Sequence, residues 1–258
     1  MSNKHIPGIY DYCDRWCERC TATQSCSLYG KEQEKIEEHR RKGEDPHDWN
    51  IVMQDIKEDF EETLKLIQKL AKEQGLDLNS MPEPDEDYVE TDVKQHPLYK
   101  QSQNYMRLVH NFLKTLREIL ETEERDLTHR IEILPSAKAK AEVETFDEIV
   151  SAYEVISWFH TLVSAKIYRA LSSKLEKKKS DPELQQIDED DANRSAKVVY
   201  GGLVKSIAAL QKIFEWNRNL QNDVITLLVE ADRLRRKIDA EFPNHPHFKP
   251  PGLGSKNG

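Results

Sequence analysis

Apolar residues recur every three or four positions along most of this 258-residue chain, and no segment shows the period of two that a strand requires. Val52, Ile56, Phe60, Leu64, Ile67 and Ala71 form the first stripe. Tyr105, Val109, Phe112, Leu116 and Ile119 form the second, which continues to Leu127 and Ile131. The third, Ile149, Tyr153, Ile156, His160, Val163 and Ile167, is widened by Val155, Phe159 and Leu162. As the most apolar helix it is expected at the centre of the fold. The last pattern runs from Leu203 to Ile238, and as one helix it would outreach its neighbours, so two helices joined near Glu215–Asn219 are expected. Nine glycines and 11 prolines sit mostly between these stripes, leaving few, long elements. The fold class is therefore all-α: an antiparallel bundle of four to five long helices, preceded by an N-terminal four-cysteine metal-binding segment.

Local stop and start signals divide the chain. Residues 1–44 hold the cysteines and a short polar helix over Lys31–Lys42, stopped by Gly43. Asp45-Pro46 reads as the cap and first position of the next helix, which Gly75 ends. Residues 76–95, acidic around Met81-Pro-Glu-Pro-Asp-Glu-Asp87, read as a mobile linker. His96-Pro97 opens the second long helix and Pro135 closes it. The third starts either in the run from Ser136 or at the capping box Thr145–Glu148. Asp181-Pro182 restarts the chain, and Pro243 opens a disordered tail over 243–258. The bundle proper is thus expected over 45–242.

The net charge of −9 argues against nucleic acid as a partner. No apolar run approaches the ~18 residues of a membrane span. The first residues carry no apolar signal region, so a cytoplasmic protein is expected. In that reducing compartment, clustered cysteines read as metal ligands before disulfides.

All four cysteines fall in one short stretch, Cys13, Cys17, Cys20 and Cys26, spaced C-x3-C-x2-C-x5-C. On a helix the first three share one face, and Thr21–Ser25 must turn back to deliver the fourth. Thiolates one helical turn apart suit a cubane iron–sulfur cluster, which binds each sulfur to a different iron. A looped knuckle would suit a tetrahedral zinc, with Zn–S of ~2.3 Å. The helical arrangement tips the expectation slightly to an Fe–S cluster over zinc. The first three cysteines also have the spacing of radical S-adenosylmethionine enzymes, but those need a β/α barrel that this chain lacks. Tyr10, Tyr12 and Trp16 either shield a metal centre or dock the segment onto the helices, and docking is favoured on the dominance of aromatic burial.

The helices could hold a second site. His160 lies in the third stripe near Glu154, with His110 and Glu118 on the helix before. Two-metal bundles use Glu-x-x-His on paired helices, and here that pattern occurs only at Glu44–His47, with Asp126–His129 a weaker variant. A core histidine with ordinary hydrogen bonds is the better account of His160. Gly201-Gly202, inside a helical pattern, is expected to allow close packing or a kink. Three function classes follow: a metalloprotein acting in electron transfer or protein assembly, a non-haem metal-dependent oxidoreductase using the bundle interior, and a zinc-stapled helical adaptor. A protein partner is expected.

Overall fold

The computed structural model describes residues 5–73, 75, 77, 86–178 and 180–249. Among these every regular element is helical. Seven α-helices follow in order: α1 (Ser27–Lys42), α2 (Trp49–Glu73), α3 (Glu86–Gln95), α4 (Pro97–Ile133), α5 (Ser136–Glu176), α6 (Pro182–Trp216) and α7 (Gln221–Glu241). The chain divides into two compact units, Met1–Tyr10 with Cys17–Glu86, and Asp11–Trp16 with Asp87–Gly258. The first long helix thus belongs with the cysteine segment, and not with the bundle expected over 45–242.

In the first unit, α1 begins at Ser27, directly after the last cysteine, and ends at Gly43 in the left-handed region (φ 75°). The Gly43 and Glu44 N–H groups close this end by donating to the Arg40 and His39 carbonyls. α2 starts at Trp49, later than Asp45-Pro46 suggests, because the Asp45 carboxylate instead accepts from the His47 N–H in a turn. The capping is done by Asp48, whose Oδ1 accepts from the Asn50 N–H at 2.8 Å. α1 and α2 run antiparallel and touch through polar groups, Lys35 with Asp59 at 2.7 Å and His39 with Asp55 at 3.1 Å. α1 is too polar to cover an apolar face. No residue of α1 is buried, and in α2 only Ala71 is. The α2 stripe is consequently bare, with Trp49 and Phe60 each 72% exposed and Met53, Ile56, Leu64, Ile67 and Leu70 also exposed.

His39 is the hinge pin of this pair. Its Nδ1 lies 2.7 Å from Glu44 and its Nε2 3.1 Å from Asp55. The Glu44 carboxylate first, and Asp55 second, raise the imidazole pKa above its ordinary value. A group whose folded pKa is raised contributes its stability in full below the unfolded value of about 6.5 and loses it as pH rises through the folded one. The α1–α2 pairing should therefore loosen as pH climbs above that range. NMR titration of the His39 ring is expected to give a midpoint above that of an unstructured histidine, and a midpoint at or below it would break this account.

In the second unit, α4, α5, α6 and α7 pack in a ring. α4 lies beside α5, α5 beside α6, α6 beside α7, and α7 closes back on α4. Cross-helix partners show that neighbours are antiparallel. Arg130 pairs with Glu142 and Arg117 with the Tyr153 hydroxyl across α4–α5, and Arg169 pairs with Asp191 and Lys212 with Glu148 across α5–α6. α5 is not central, as its composition suggests, since each helix of the ring has two flanking neighbours. Tyr105, Ile156, Leu203, Leu210, Ile213 and Leu234 are fully buried inside. Where α4 and α5 approach, two small polar residues complete each other: Ser102 donates to the Tyr99 carbonyl at 2.7 Å and lies 3.0 Å from the Ser164 hydroxyl, which also accepts from Gln103.

The helix ends follow local chemistry. His96 caps α4 by accepting from the Leu98 N–H, with Pro97 at the first helical position. α5 starts at Ser136, and Thr145 sits inside it with its hydroxyl on the Ala141 carbonyl. α6 and α7 are separate helices: Asn217 is extended (φ −130°), and its side chain accepts from the Asn219 N–H to start the next turn.

Two segments expected to lack structure carry some. The linker expected over 76–95 contains α3, anchored by the fully buried Val93, while residues 76 and 78–85 lie outside the described residues. In the expected tail, His245 is buried with its Nε2 2.9 Å from Asp239 and its ring against Tyr200. A carboxylate within hydrogen-bond distance and an aromatic face outweigh what a Pro-rich composition predicts. Residues 250–258 lie outside the described residues.

Candidate functional site

The cysteine segment is a run of turns and not a helix. Short 3₁₀ turns cover Ile9–Tyr12, Cys17–Arg19 and Thr23–Ser25. Between the first two, Arg15 takes a positive φ of 61°, which ends any helical path from Cys13 to Cys17. The Asp14 carboxylate fixes that bend by accepting from the Trp16 N–H at 3.2 Å. The shared helix face expected for Cys13, Cys17 and Cys20 is therefore not formed.

Two of the thiols sit in knuckle-like bends. Cys13 Sγ accepts from the Arg15 N–H at 3.0 Å, and Cys20 Sγ from the Ala22 N–H at 3.4 Å, in each case two residues on. Cys17 opens the second turn, and its carbonyl accepts from the Cys20 N–H. Cys26 is extended and its carbonyl accepts from the Gly30 N–H at the start of α1. None of the four is in a disulfide. Among the described residues no three His, Cys, Asp or Glu side chains are placed as a group that could hold a metal ion. The boundary between the compact units falls between Trp16 and Cys17, so Cys13 belongs to one unit and Cys17, Cys20 and Cys26 to the other.

Within the second unit, Asp11–Trp16 is held on α5 and α6 by a dense set of contacts. The Trp16 ring stacks on Trp158 at 5.2 Å and meets Phe159 edge-on at 6.1 Å. Trp158 Nε1–H donates to the Asp14 carbonyl at 2.8 Å, and Lys205 pairs with the Asp14 carboxylate at 3.0 Å. Arg194 pairs with Asp11 at 3.2 Å and lies over the Tyr12 ring. Docking is thus the role of Trp16 and Tyr12, whereas Tyr10 is 45% exposed. The docked stretch, α5 and α6 enclose a small cleft of about 180 Å³ lined by Asp14, Lys197 and Lys205. Burial first, and the Arg169 charge second, push the Lys166 ammonium pKa down, against the opposing pull of Asp191 and Cys13.

No protein family, curated protein or solved structure matches this chain. Its function has to come from its own residues. Trp158, Arg194 and Lys205 were not visible as site residues in the sequence, since they lie far along the chain and belong to ordinary helical patterns. Gly202 was visible, as one of two adjacent glycines in a helix. Its role is close packing: a Cβ there would stand 2.6 Å from Phe159 Cδ1.

The other candidate residues form no catalytic set. His160 Nδ1–H donates to the Ser157 carbonyl at 2.6 Å, the ordinary satisfied histidine expected. Its ring stacks against His110 at 6.2 Å, and burial pushes its pKa down, with His110 adding to the effect. The pair lines a groove of about 630 Å³ with Gln103, Asn104, Arg107 and Thr161. Glu118 and Glu154 are exposed, and His47 with Glu44 lies at the α1–α2 turn. Among the described residues, the buried polar side chains of α4–α7 are serines and Asn193, where two-metal chemistry uses carboxylates. No helix among the described residues is long and apolar enough to cross a membrane.

Proposed function

We propose that this chain is a helical interaction protein in which Cys13, Cys17, Cys20 and Cys26 bind a metal that staples the N-terminal unit. One observation carries this reading: the first unit presents a bare apolar helix yet has almost no core. Among its described residues, Ile9, Ala22 and Ala71 are the buried apolar ones. A unit that cannot bury its own apolar face depends on a metal, a partner, or both. The clustered cysteines supply the first and the α2 stripe the second.

The looped backbone shifts the choice of ion. A looped path suits a tetrahedral zinc, with Zn–S of ~2.3 Å, better than a cluster that needs thiolates about one helical turn apart. An Fe–S cluster, with electron transfer as its role, is the competing outcome. Metal analysis of anaerobically purified protein decides between them. A colourless protein with one zinc per chain is expected. Absorbance near about 400 nm with iron and acid-labile sulfide would put the cluster in its place. Cys→Ser at each of the four positions is expected to abolish or severely reduce metal content. Full metal retention after replacing any two would end the four-ligand reading.

A further inference from the structure

We infer that the groove between α4 and α5 that holds His110 and His160 binds a small organic anion, with Arg107 as its anchor. The groove lies wholly within the second unit, so the inference stands apart from the metal reading. Its volume of about 630 Å³ falls in the range of small-molecule sites, and its walls are mostly apolar. The polar groups that line it, Gln103, Asn104, Arg107, His110, His160 and Thr161, include no carboxylate.

That lining reverses the charge of the chain. Asp and Glu make up 47 of its 258 residues, yet α4 holds none from Pro97 to Arg117 and α5 none from Val155 to Leu175. These stretches face each other, since Gln103 bonds to Ser164 and Arg117 to Tyr153. Acids return only at Glu118 on α4 and at Glu154 and Glu176 on α5. On the other flank of α4, Glu230 of α7 is taken up by Arg233 and Gln101. Lys100, Arg107 and Lys114, spaced by seven, stand on one exposed side of α4, opposite the buried Tyr105, Val109, Phe112 and Leu116. Elsewhere arginines of this bundle meet carboxylates, Arg169 on Asp191 and Arg130 on Glu123 and Glu142. Arg107 donates instead to the neutral Asn104 side-chain oxygen at 2.8 Å, and has no ion pair among the described residues. Its planar fork matches a carboxylate or a phosphate.

The histidines extend the site. His160 commits Nδ1–H to the Ser157 carbonyl, which leaves Nε2 for a ligand. Burial first, and the His110 charge besides, disfavour the His160 cation. An anion beside Arg107 and the two rings offsets that penalty.

The full-length protein titrated with phenyl phosphate, followed by NMR of the histidine rings, tests this. Saturable shifts of His110 and His160 are expected with a midpoint below about 1 mM, together with a rise in both ring pKa values, while His39 and His129 stay put. Phenol should shift neither ring. Arg107→Gln is expected to weaken binding about tenfold or more, with the melt unchanged because the side chain is exposed. Lys100→Gln, outside the groove, should change it by less than about twofold. No saturable shift would overturn the site, as would wild-type affinity in Arg107→Gln. An equal loss in Lys100→Gln would overturn it too, by making the attraction a diffuse field. Inorganic phosphate binding as tightly as phenyl phosphate would remove the organic body from the ligand. A single-stranded RNA that displaces the probe with steep salt dependence would replace the small ligand with a polyanion.

Discussion

Gly202→Ala and Gly201→Ala are expected to change stability in opposite directions, although the two glycines are adjacent in α6. A Cβ at Gly201 meets nothing within 4 Å, so alanine there only removes the conformational entropy of a helical glycine. A gain of about 0.5–1 kcal/mol is expected. A Cβ at Gly202 would stand 2.6 Å from Phe159 Cδ1 and 3.2 Å from Cε1. The ring has nowhere to retreat: Phe159 is 1% exposed, Trp16 meets its edge, and Lys205 lies over its face at 5.0 Å. Overpacking of this kind costs about 1–3 kcal/mol, which exceeds the helix-propensity gain. Thermal melting should fall by several degrees for Gly202→Ala, at roughly 2–4 °C per kcal/mol for a chain of this size, and rise slightly for Gly201→Ala. If Gly202→Ala matched Gly201→Ala, the close approach of α6 to the α5 aromatic cluster would be wrong.

Trp16→Ala should cost about 2–3 kcal/mol with or without metal, because Trp16 acts by packing. It stacks on Trp158 and closes over Phe159, and removing it exposes both. It would also weaken the anchor at Asp14, which depends on the Trp158 N–H and Lys205. Tyr10→Ala is the control, being 45% exposed, and should fall within about 0.5 kcal/mol of the parent. The decisive comparison is the melt of Trp16→Ala in chelator against the parent in chelator. An effect of Trp16→Ala that vanished in chelator would make the tryptophan a metal shield and not a docking residue.

The cysteines show where spacing alone misleads. Positions 13, 17 and 20 match one helical face, yet Arg15 at positive φ and the Asp14 side chain divert the backbone between them. A helix of that length is marginal in water unless an apolar face buries it, and this stretch offers only Trp16, which is used for docking elsewhere. The chain therefore follows its side-chain hydrogen bonds. The proposal of zinc over a cluster rests on that change in backbone path.

What the sequence determined by itself was a set of features decided within a turn or two of helix. Pro97 behind a capping His96, Gly43 in the left-handed region, and the break at Asn217 are all local, because capping, φ preference and missing donors act over a few residues. The absence of strands among the described residues is of the same kind, since a period near 3.6 cannot sit half-buried as a strand. Only the tertiary structure decided what each apolar stripe faces. α2 has the periodicity of a core helix, as α4 does, yet Leu116 of α4 is fully buried and Phe60 of α2 is 72% exposed. Periodicity states that a face exists, not what covers it. The cover depends on which elements the chain brings alongside: α1 proved too polar to serve α2, while α5 and α7 flank α4. Trp16 found Trp158 for the same reason, through a contact between residues 142 positions apart that no local pattern encodes.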